Sequence, residues 1–250
     1  MFHAKLDSTK TWKQIVDALA TLLTEVNFNI DKSGIQLRQL DSSKAAMIDL
    51  NLPASVFQEY TCDEKHNVCL GVDELSKVSK RMAGDDRLEF NLDKDGGRFE
   101  IRMIGRAERE FKLQLLTPPE DTANKPELEF SVMAEMFADS FKQSVKDIGV
   151  ISNHVKIVAD KTTLTFAGEG DTGEAEVELT AGEDSSLYDL EVKEDSTSMY
   201  ALNYLSEIAK AMSSDSMKLQ YSSDKPIQLE FMIAEGGRIN FILAPRVERR

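Results

Sequence analysis

The sequence contains few of the residues that enzymes use for covalent or metal chemistry. It has two cysteines, three histidines and one tryptophan among its 250 residues. The phosphate-binding motif G-x-x-x-x-G-K-[ST], the serine-hydrolase motif G-x-S-x-G and the zinc motif H-E-x-x-H are all absent. We therefore expect a protein that is not an enzyme and that needs no cofactor.

Long apolar segments are absent as well. No run approaches the ~18 residues that a membrane-spanning helix needs. The first ten residues lack the basic region and the apolar core of a signal peptide. We expect an intracellular protein that makes no contact with membranes.

Cys62 and Cys69 flank His66 in the segment CDEKHNVC. These three side chains, together with Asp63 or Glu64, could bind zinc. The spacing C-x3-H-x2-C, however, matches no common structural zinc module. We expect a hairpin loop with reduced thiols and no metal, and a zinc site and a cross-strand disulfide are the alternatives.

The segment GEGDTG, residues 168–173, formally satisfies the dinucleotide motif G-x-G-x-x-G. That motif requires a following helix, whose N-terminal amides meet the pyrophosphate. Here EAEVELT follows, which alternates like a strand, and Glu169 and Asp171 would repel phosphate. We predict a hairpin turn. A metal-dependent enzyme that uses CDEKHNVC or an acidic pair such as Asp85 and Asp86 is the remaining enzymatic alternative.

Positive charge is the scarcer kind, with 30 Lys and Arg residues against 44 Asp and Glu residues and a formal net charge of −14. This balance argues against a protein that coats nucleic acid with its whole surface. The cations nevertheless collect on predicted helices. In DELSKVSKRM, Lys77, Lys80 and Arg81 share one helical face, because they stand at i, i+3 and i+4. An acidic protein can therefore carry one basic face.

The chain contains an internal repeat. A shift of 130 residues places LSKVSKRMAGD over LSEIAKAMSSD, and a shift of 129 places Trp12 over Phe141. Each copy begins with a short strand and an amphipathic helix, continues with alternating strands, and contains a second amphipathic helix before its last strands. In the second copy, the predicted apolar stripe of the first helix consists of Phe137, Phe141, Val145 and Ile148.

Turn sequences such as DKSG, DKDGG, SSDKP and EGGR separate the strands and predict antiparallel hairpins. We predict an α+β fold of two similar domains, residues 1–116 and 128–250, each with antiparallel sheets and two helices on one face. The segment TPPEDTANKPE, residues 117–127, holds three of the six prolines and is predicted to connect the domains.

Several segments carry a resemblance to a known family: MFHAKL, SGIQLRQLDSSKAAMIDL, LGVDELSKVSK, IGVISNHV and PIQLEFMIAEGGRINFILAPRVE. Along its whole length the chain resembles the DNA sliding clamps of the proliferating cell nuclear antigen type found in archaea and eukaryotes, and it is most similar to the archaeal type. The resemblance implies a DNA clamp fold, with three copies in a closed ring, helices inside and sheets outside. It also implies a processivity factor of DNA replication and repair, located in the archaeal cytoplasm or nucleoid or in a eukaryotic nucleus.

The resemblance implies that the ring encircles double-stranded DNA without reading its sequence. The cations that match the inner face of the family are Lys13, Lys77, Lys80, Arg81, Lys142, Lys146, Lys210 and, on a strand that enters the same channel, Lys218. Gln14, Ala20 and Glu207 stand where relatives often have cations. A less positive channel is therefore expected.

The resemblance also implies that the edge strand REFKLQL pairs with EAEVELT of the next subunit in a homotrimer. The matching interface residues are Arg109, Phe111, Lys112, Leu113, Glu176, Val177, Glu178 and Leu179. Arg109 and Lys112 would then face Glu174, Glu176 or Glu178, which would favour this contact over self-pairing. A subunit of a heterotrimeric or checkpoint ring is the alternative.

Partners are expected on the outer face. In the family, DNA polymerase, flap nuclease and DNA ligase insert a peptide motif with a glutamine and aromatic anchors into an apolar pocket, and a clamp loader opens the ring. The matching pocket positions are Leu40, Lys44, Ala45, Met47, Leu116, Pro226, Ile242, Leu243, Ala244 and Pro245. The alternative for Met47 and Leu243 is that they belong to the edge of the core.

Overall fold

The computed structural model describes residues 1–118 and 126–246 of the chain. The chain divides into two compact units. The first comprises Met1–Ser42, Ile48–Asn124 and Met232–Ile239, and the second comprises Ser43–Met47, Lys125–Phe231 and Asn240–Arg250. Most of the predicted connecting loop, residues 117–127, lies outside the described residues, so the predicted domain boundaries remain a prediction.

The helices in the described residues are α1 Thr9–Ala20, α2 Val72–Ser79, α3 Ala138–Ile148 and α4 Leu202–Ala211. None of them is long and apolar enough to span a bilayer. The strands before residue 118 are β1 Phe2–Leu6, β2 Glu25–Asp31, β3 Gly34–Leu40, β4 Ala46–Pro53, β5 Glu59–Cys62, β6 His66–Gly71, β7 Arg87–Asp93, β8 Arg98–Ile104 and β9 Glu108–Gln114. A short 3-10 turn, Ala54–Val56, follows β4.

The strands after residue 126 repeat this order. They are β10 Val132–Phe137, β11 His154–Ala159, β12 Thr163–Gly170, β13 Gly173–Thr180, β14 Leu187–Val192, β15 Ser196–Ala201, β16 Ser216–Tyr221, β17 Ile227–Ile233 and β18 Gly237–Leu243. In both halves a strand and a helix come first, five strands follow, and a second helix precedes the last three strands. The repeat predicted from sequence is therefore present in the fold.

Antiparallel sheets form both units. In the first, the strand order is β5–β1–β7–β8–β9, and β2 pairs with β3 and β6. In the second, one sheet has the order β13–β12–β11–β15, β10 lies between β14 and β16, and β16 pairs with β17. The predicted α+β class with antiparallel sheets and two helices in each copy is confirmed.

The core of the first unit holds α1 against β7. Ser8 caps the N-terminus of α1, and its hydroxyl accepts a hydrogen bond from the backbone N–H of Thr11 at 3.2 Å. Its apolar face buries Trp12, and the indole ring centroid lies 4.5 Å from that of Phe90 in β7. Burial of these two rings fixes the side of α1 that faces solvent.

The core of the second unit uses α3 in the same way, with one exception. Phe141, Val145 and Ile148 are buried as predicted, and the Phe141 ring packs edge-on against Phe166 at 6.0 Å. Phe137 is not part of this stripe, because it ends β10 before α3 begins and is 50% exposed. The prediction for Phe137 was wrong.

The segment CDEKHNVC is not the hairpin predicted from its sequence. Cys62 ends β5, which pairs with β1, whereas His66 begins β6, which pairs with β2. The pairing of each strand with a distant partner overrides the local turn signal. Both cysteines are buried free thiols, and burial raises the pKa of each.

The segment GEGDTG does form the predicted hairpin. It joins β12 to β13, and Gly170 faces Gly173 across the turn. No helix follows, so its amides are not arranged to bind a pyrophosphate. Within residues 1–118 and 126–246, no group of three His, Cys, Asp or Glu side chains is arranged to hold a metal ion.

Candidate nucleic-acid and partner interfaces

Three of the predicted DNA contacts lie at the C-terminal end of α2. Lys77 is in the last turn, Lys80 follows the helix and Arg81 comes next, and all three are exposed. None of the ion pairs found among the described residues includes them. Leu75 and Val78 on the other face of α2 are buried. Burial of Leu75 and Val78 therefore orients α2 so that three cations without carboxylate partners in the described part of the chain are exposed to solvent.

In the second unit, a groove of about 530 Å³ runs between α3 and α4. Three lysines, Lys142, Lys146 and Lys210, line it beside small and apolar side chains. Lys142 Nζ lies 3.2 Å from Asp139 Oδ1, and Lys210 Nζ lies 2.6 Å from Glu207 Oε1. Lys146 forms no ion pair among the described residues. The groove thus has one uncompensated cation and two that are paired with carboxylates on their own helices.

Lys13 is restrained by the fold. Its Nζ donates a hydrogen bond to the backbone carbonyl oxygen of Met82 at 2.8 Å, and the residue is half-buried. The contact ties α1 to the segment that follows α2. The position of the Lys13 ammonium is set by this backbone contact.

Lys218 differs from the helix lysines in its surroundings. Its neighbours Met217 and Leu219 in β16 are buried, so Lys218 points away from the core of its unit. Its Nζ lies 2.7 Å from Glu135 Oε1, and this hydrogen bond raises the pKa of Lys218. In the strand register, Glu135 lies between Lys218 and Asp189 of β14, and Lys218 lies between Glu135 and Glu230 of β17. We call Asp189, Glu135, Lys218 and Glu230 the acidic row. Its three carboxylates and one ammonium make Lys218 a poor phosphate ligand.

The predicted interface strand β9 is the last strand of its sheet. Phe111 and Leu113 are half-buried on one side of it, and charged residues alternate with them on the other. Lys112 Nζ lies 2.9 Å from Glu100 Oε1, and hydrogen bonding to Glu100 raises the pKa of Lys112. The charge of Lys112 is therefore already partly compensated within its own unit.

The Arg109 side chain is also paired within its own unit. Its guanidinium pairs with Asp86, which is 2% exposed, and also donates to the carbonyl oxygen of Arg81 at 2.8 Å. Asp86 accepts a further hydrogen bond from the backbone N–H of Ala83 at 2.6 Å. Arg109 therefore holds the segment after α2 against β9. Asp86, named from sequence as one of an acidic pair that a metal-dependent enzyme could use, is a buried partner of an arginine.

The other predicted interface strand, β13, also ends its sheet. Val177 and Leu179 are half-buried, whereas Glu174, Glu176 and Glu178 are exposed on the opposite side. Each of the two end strands thus has a half-buried side and an exposed, charged side. Arg109 lies on the same side of β9 as Phe111 and Leu113, and the charged residues of β13 are all acidic.

The predicted pocket residues are divided between the units. In the second unit, the backbone N–H of Ala244 donates to the carbonyl oxygen of Ala45 at 2.9 Å, which joins the segments 43–47 and 240–246. Lys44 and Ala244 are exposed, while Pro226 and Pro245 are half-buried. Lys44 has φ 59°, the left-handed region.

Three members of the predicted pocket are core residues. Met47 and Ile242 are each 5% exposed and Leu243 is 1% exposed. In the first unit, Leu40 is half-buried and Leu116 is 38% exposed, with its N–H donating to the Cys69 carbonyl at 2.9 Å. A hydrogen bond that the sequence did not predict joins Ser43 Oγ to the Tyr204 hydroxyl at 2.6 Å. This hydrogen bond joins segment 43–47 to α4.

Comparison with known proteins identifies the family. The model of the N-terminal domain of proliferating cell nuclear antigen matches residues 1–114, and that of its C-terminal domain matches residues 124–246. The chain belongs to the proliferating cell nuclear antigen family. This membership confirms the family predicted from sequence. It also agrees with the expectation of a non-enzymatic protein, because the family consists of processivity factors.

Several curated relatives in the family come from archaea. A DNA polymerase sliding clamp of Pyrococcus abyssi is 35% identical over 248 residues, which cover 99% of each chain. A DNA polymerase sliding clamp of Thermofilum pendens is 36% identical over 241 residues, 96% of each chain. A crystal structure of PCNA from Thermococcus kodakaraensis is 28% identical and superposes with a TM-score of 0.94 over 98% of this chain and 100% of that chain.

Proposed function

We propose that this chain is a DNA polymerase sliding clamp, a processivity factor that encircles duplex DNA as a ring of three copies. Membership of the proliferating cell nuclear antigen family over both halves carries the proposal. The distribution of charge supports it, because a chain of net charge −14 presents exposed, unpaired cations on its helices. A ring held on DNA by topology needs only weak, sequence-independent phosphate contacts, and weak contacts permit sliding.

The cations are not equivalent in this proposal. Lys77, Lys80, Arg81 and Lys146 are exposed and unpaired among the described residues, and we assign the main phosphate contacts to them. Lys142 and Lys210 can contribute when phosphate displaces their carboxylate partners. Lys13 acts mainly in holding α1, and Lys218 contributes least because the acidic row surrounds it. The predicted contact set is therefore narrower than the family positions imply.

Ring closure is proposed to use β9 and β13. Each is the last strand of its sheet, and pairing with a neighbouring copy would satisfy its free backbone groups. Phe111 and Leu113 would pack beside Val177 and Leu179. One chain carries both ends, so copies of it can close a ring without a second kind of subunit, and we propose a homotrimer on this ground. Because Arg109 is bound to Asp86, Lys112 is the cation of β9 best able to meet the glutamates of β13.

Partner tethering is proposed for Lys44 and Ala244, which are exposed, with the half-buried Pro226 and Pro245 in the second unit. Leu40 and Leu116 of the first unit remain predictions from the family positions. The hydrogen bonds from Ala244 to Ala45 and from Ser43 to Tyr204 support a preformed loop in the second unit. We assign a supporting role under the pocket to Met47, Ile242 and Leu243, because they are buried. The occupants would be glutamine-and-aromatic motifs of DNA polymerase, flap nuclease and DNA ligase, and a clamp loader would open the ring.

Polymerase stimulation tests the proposal. The wild-type chain, loaded onto a primed circle, should increase the length of DNA made per binding event, and Lys77→Ala with Lys80→Ala should weaken retention on DNA. The matched control is Lys32→Ala with Lys161→Ala, which removes two exposed lysines from hairpin turns. Light scattering should give three chain masses for all variants. A stable monomer, or equal retention in both double variants, would refute the assignment.

A further inference from the structure

An exposed aromatic pair lies at one end of a strand in the second unit. Phe137 is 50% exposed, and its ring centroid lies 5.6 Å from that of Tyr188, which is half-buried in β14. A single exposed apolar side chain is ordinary on a protein surface. Its significance depends on what it replaces and on what surrounds it.

The internal repeat identifies what Phe137 replaces. The shift of 129 places it over Ser8, whose hydroxyl caps α1 by accepting from Thr11 N–H. Phe137 stands at the same position before α3 and makes no side-chain capping bond. Serine is among the preferred residues at this position, and phenylalanine is not. The second copy therefore lacks this side-chain cap and exposes a ring in its place.

The strand beside this ring has an open side. β14 pairs with β10 and is the last strand of its sheet. On its other side Leu187 forms a single bridge with Ala181, and its carbonyl accepts from Gly182 N–H at 3.1 Å, so the open part of the edge begins after Leu187. An end strand of this kind presents unpaired N–H and C=O groups that an extended peptide can bind. The β14–β10 register shifts at Glu135 and Met136, opposite Tyr188. This bulge leaves the aromatic pair at the start of the open edge.

The charge around the edge is negative. Asp189 and Glu191 are exposed, two residues apart in β14, and therefore point to the same face. Asp189 continues into the acidic row, where the ammonium of Lys218 is already paired with Glu135. Arginine or lysine on a partner would find carboxylates here, and DNA would be repelled.

We propose that the open edge of β14, together with Phe137 and Tyr188, is a docking site for an extended, arginine-containing segment of a partner protein. The segment adds as a strand to β14. Arginines at alternate positions reach Asp189 and Glu191, and a further guanidinium packs on the exposed face of Phe137. Two copies of β14 would bring like charges together, which disfavours self-pairing. The site does not depend on the proposed ring or the pocket.

Fluorescence anisotropy with defined peptides tests the proposal on the full chain. The probe is a labelled, capped Arg-Val-Arg-Val-Arg-Val peptide, whose alternation matches the spacing of Asp189 and Glu191. A Glu-Val repeat of the same length tests charge, and an Arg-Gly repeat tests the need for a strand. We expect the Arg-Val peptide to bind most tightly. Hydrogen exchange should show new protection at residues 187–192.

Two variants separate docking from stability. Phe137→Ser restores the residue type found at Ser8, so Tm should not fall, while affinity for the Arg-Val peptide should drop about threefold or more. Asp189→Lys should reduce affinity further. Val150→Ser is the matched control, because Val150 is 79% exposed at the other end of α3 and should change nothing. If Phe137→Ser lowers Tm, Tyr188→Ser replaces it as the deciding variant.

Four results would overturn the proposal. Two concern affinity: equal binding by wild type and Asp189→Lys, or equal binding of the Arg-Val and Arg-Gly peptides. Two concern hydrogen exchange: protection outside residues 187–192, or protection of β14 that depends on protein concentration when no peptide is present. The last result would mean that a second copy of this chain covers the edge. Loss of affinity in Phe137→Ser at unchanged Tm, with protection confined to β14, would support it.

Discussion

The buried pair between Asp86 and Arg109 makes a sharp prediction about the first unit. Asp86→Asn keeps the shape of the side chain and removes its charge. In the wild type, Asp86 is 2% exposed and accepts hydrogen bonds from Ala83 N–H and from the Arg109 guanidinium. The substitution leaves Arg109 facing a neutral amide that can still accept, so the loss is less than complete truncation would cause.

The magnitude follows from the exposure of the two partners. Breaking a buried ion pair typically costs about 3–5 kcal/mol, and a hydrogen bond to a charged group contributes about 1.5–3 kcal/mol. The Arg109 side chain is 35% exposed, so water can solvate part of the unpaired guanidinium. We therefore expect Asp86→Asn to lower the free energy of unfolding by about 2 kcal/mol and Asp86→Ala by about 3 kcal/mol.

The single tryptophan provides the assay. Trp12 is 1% exposed in the core of the first unit, so its fluorescence in urea reports unfolding of that unit. Asp85→Asn is the control, because Asp85 is 65% exposed, lies 4.0 Å from Arg106, and should change stability by less than ~0.5 kcal/mol. Protein concentration must be matched, since assembly would add to stability. An Asp86→Asn effect no larger than that of Asp85→Asn would refute the reasoning.

Three further predictions concern single side chains. Burial lowers the pKa of His66 below its ordinary 6.5, so the unfolded chain binds more protons than the folded chain, and the first unit should lose stability as pH falls below 6.5. His66→Leu should reduce the dependence of the unfolding free energy on pH between pH 5 and 6.5, measured by Trp12 fluorescence. Lys146→Ala should shorten retention on circular DNA, while Lys218→Ala should leave it unchanged; equal effects would contradict the ranking of these cations. Ser8→Ala should cost about 1 kcal/mol in urea unfolding through loss of the α1 cap, and no measurable change would contradict the capping role.

Sequence periodicity predicted the helices and strands because that signal is local, and the repeat followed from comparing segments 129 and 130 residues apart. The stripe containing Trp12 and the alternation in β13 each follow from residues close together in the chain. Family segments then predicted the kind of protein. Positions that depend on local pattern, such as the GEGDTG hairpin, agree with the structure.

The differences arise where a distant residue decides the outcome. CDEKHNVC looks like a hairpin, but the partners of its two strands, β1 and β2, lie more than 30 residues earlier in the chain. Charge alone could not reveal that Lys13 would bind the Met82 carbonyl or that Lys218 would lie in the acidic row. Phe137 fits the apolar spacing of a helix, but α3 begins at Ala138, so Phe137 is not part of the helix. Comparison with Ser8 in the first copy was the one sequence signal that could have identified it.

Dependence of DNA retention on topology tests the central claim most directly. The labelled chain is loaded onto a nicked circular duplex, unbound protein is removed, and the circle is then cut once with a restriction enzyme. A sliding clamp should remain on the intact circle and leave from the free ends within minutes of the cut. The cut itself does not change the phosphate contacts of Lys77 and Lys80. Retention that is the same on circular and linear DNA would contradict encirclement.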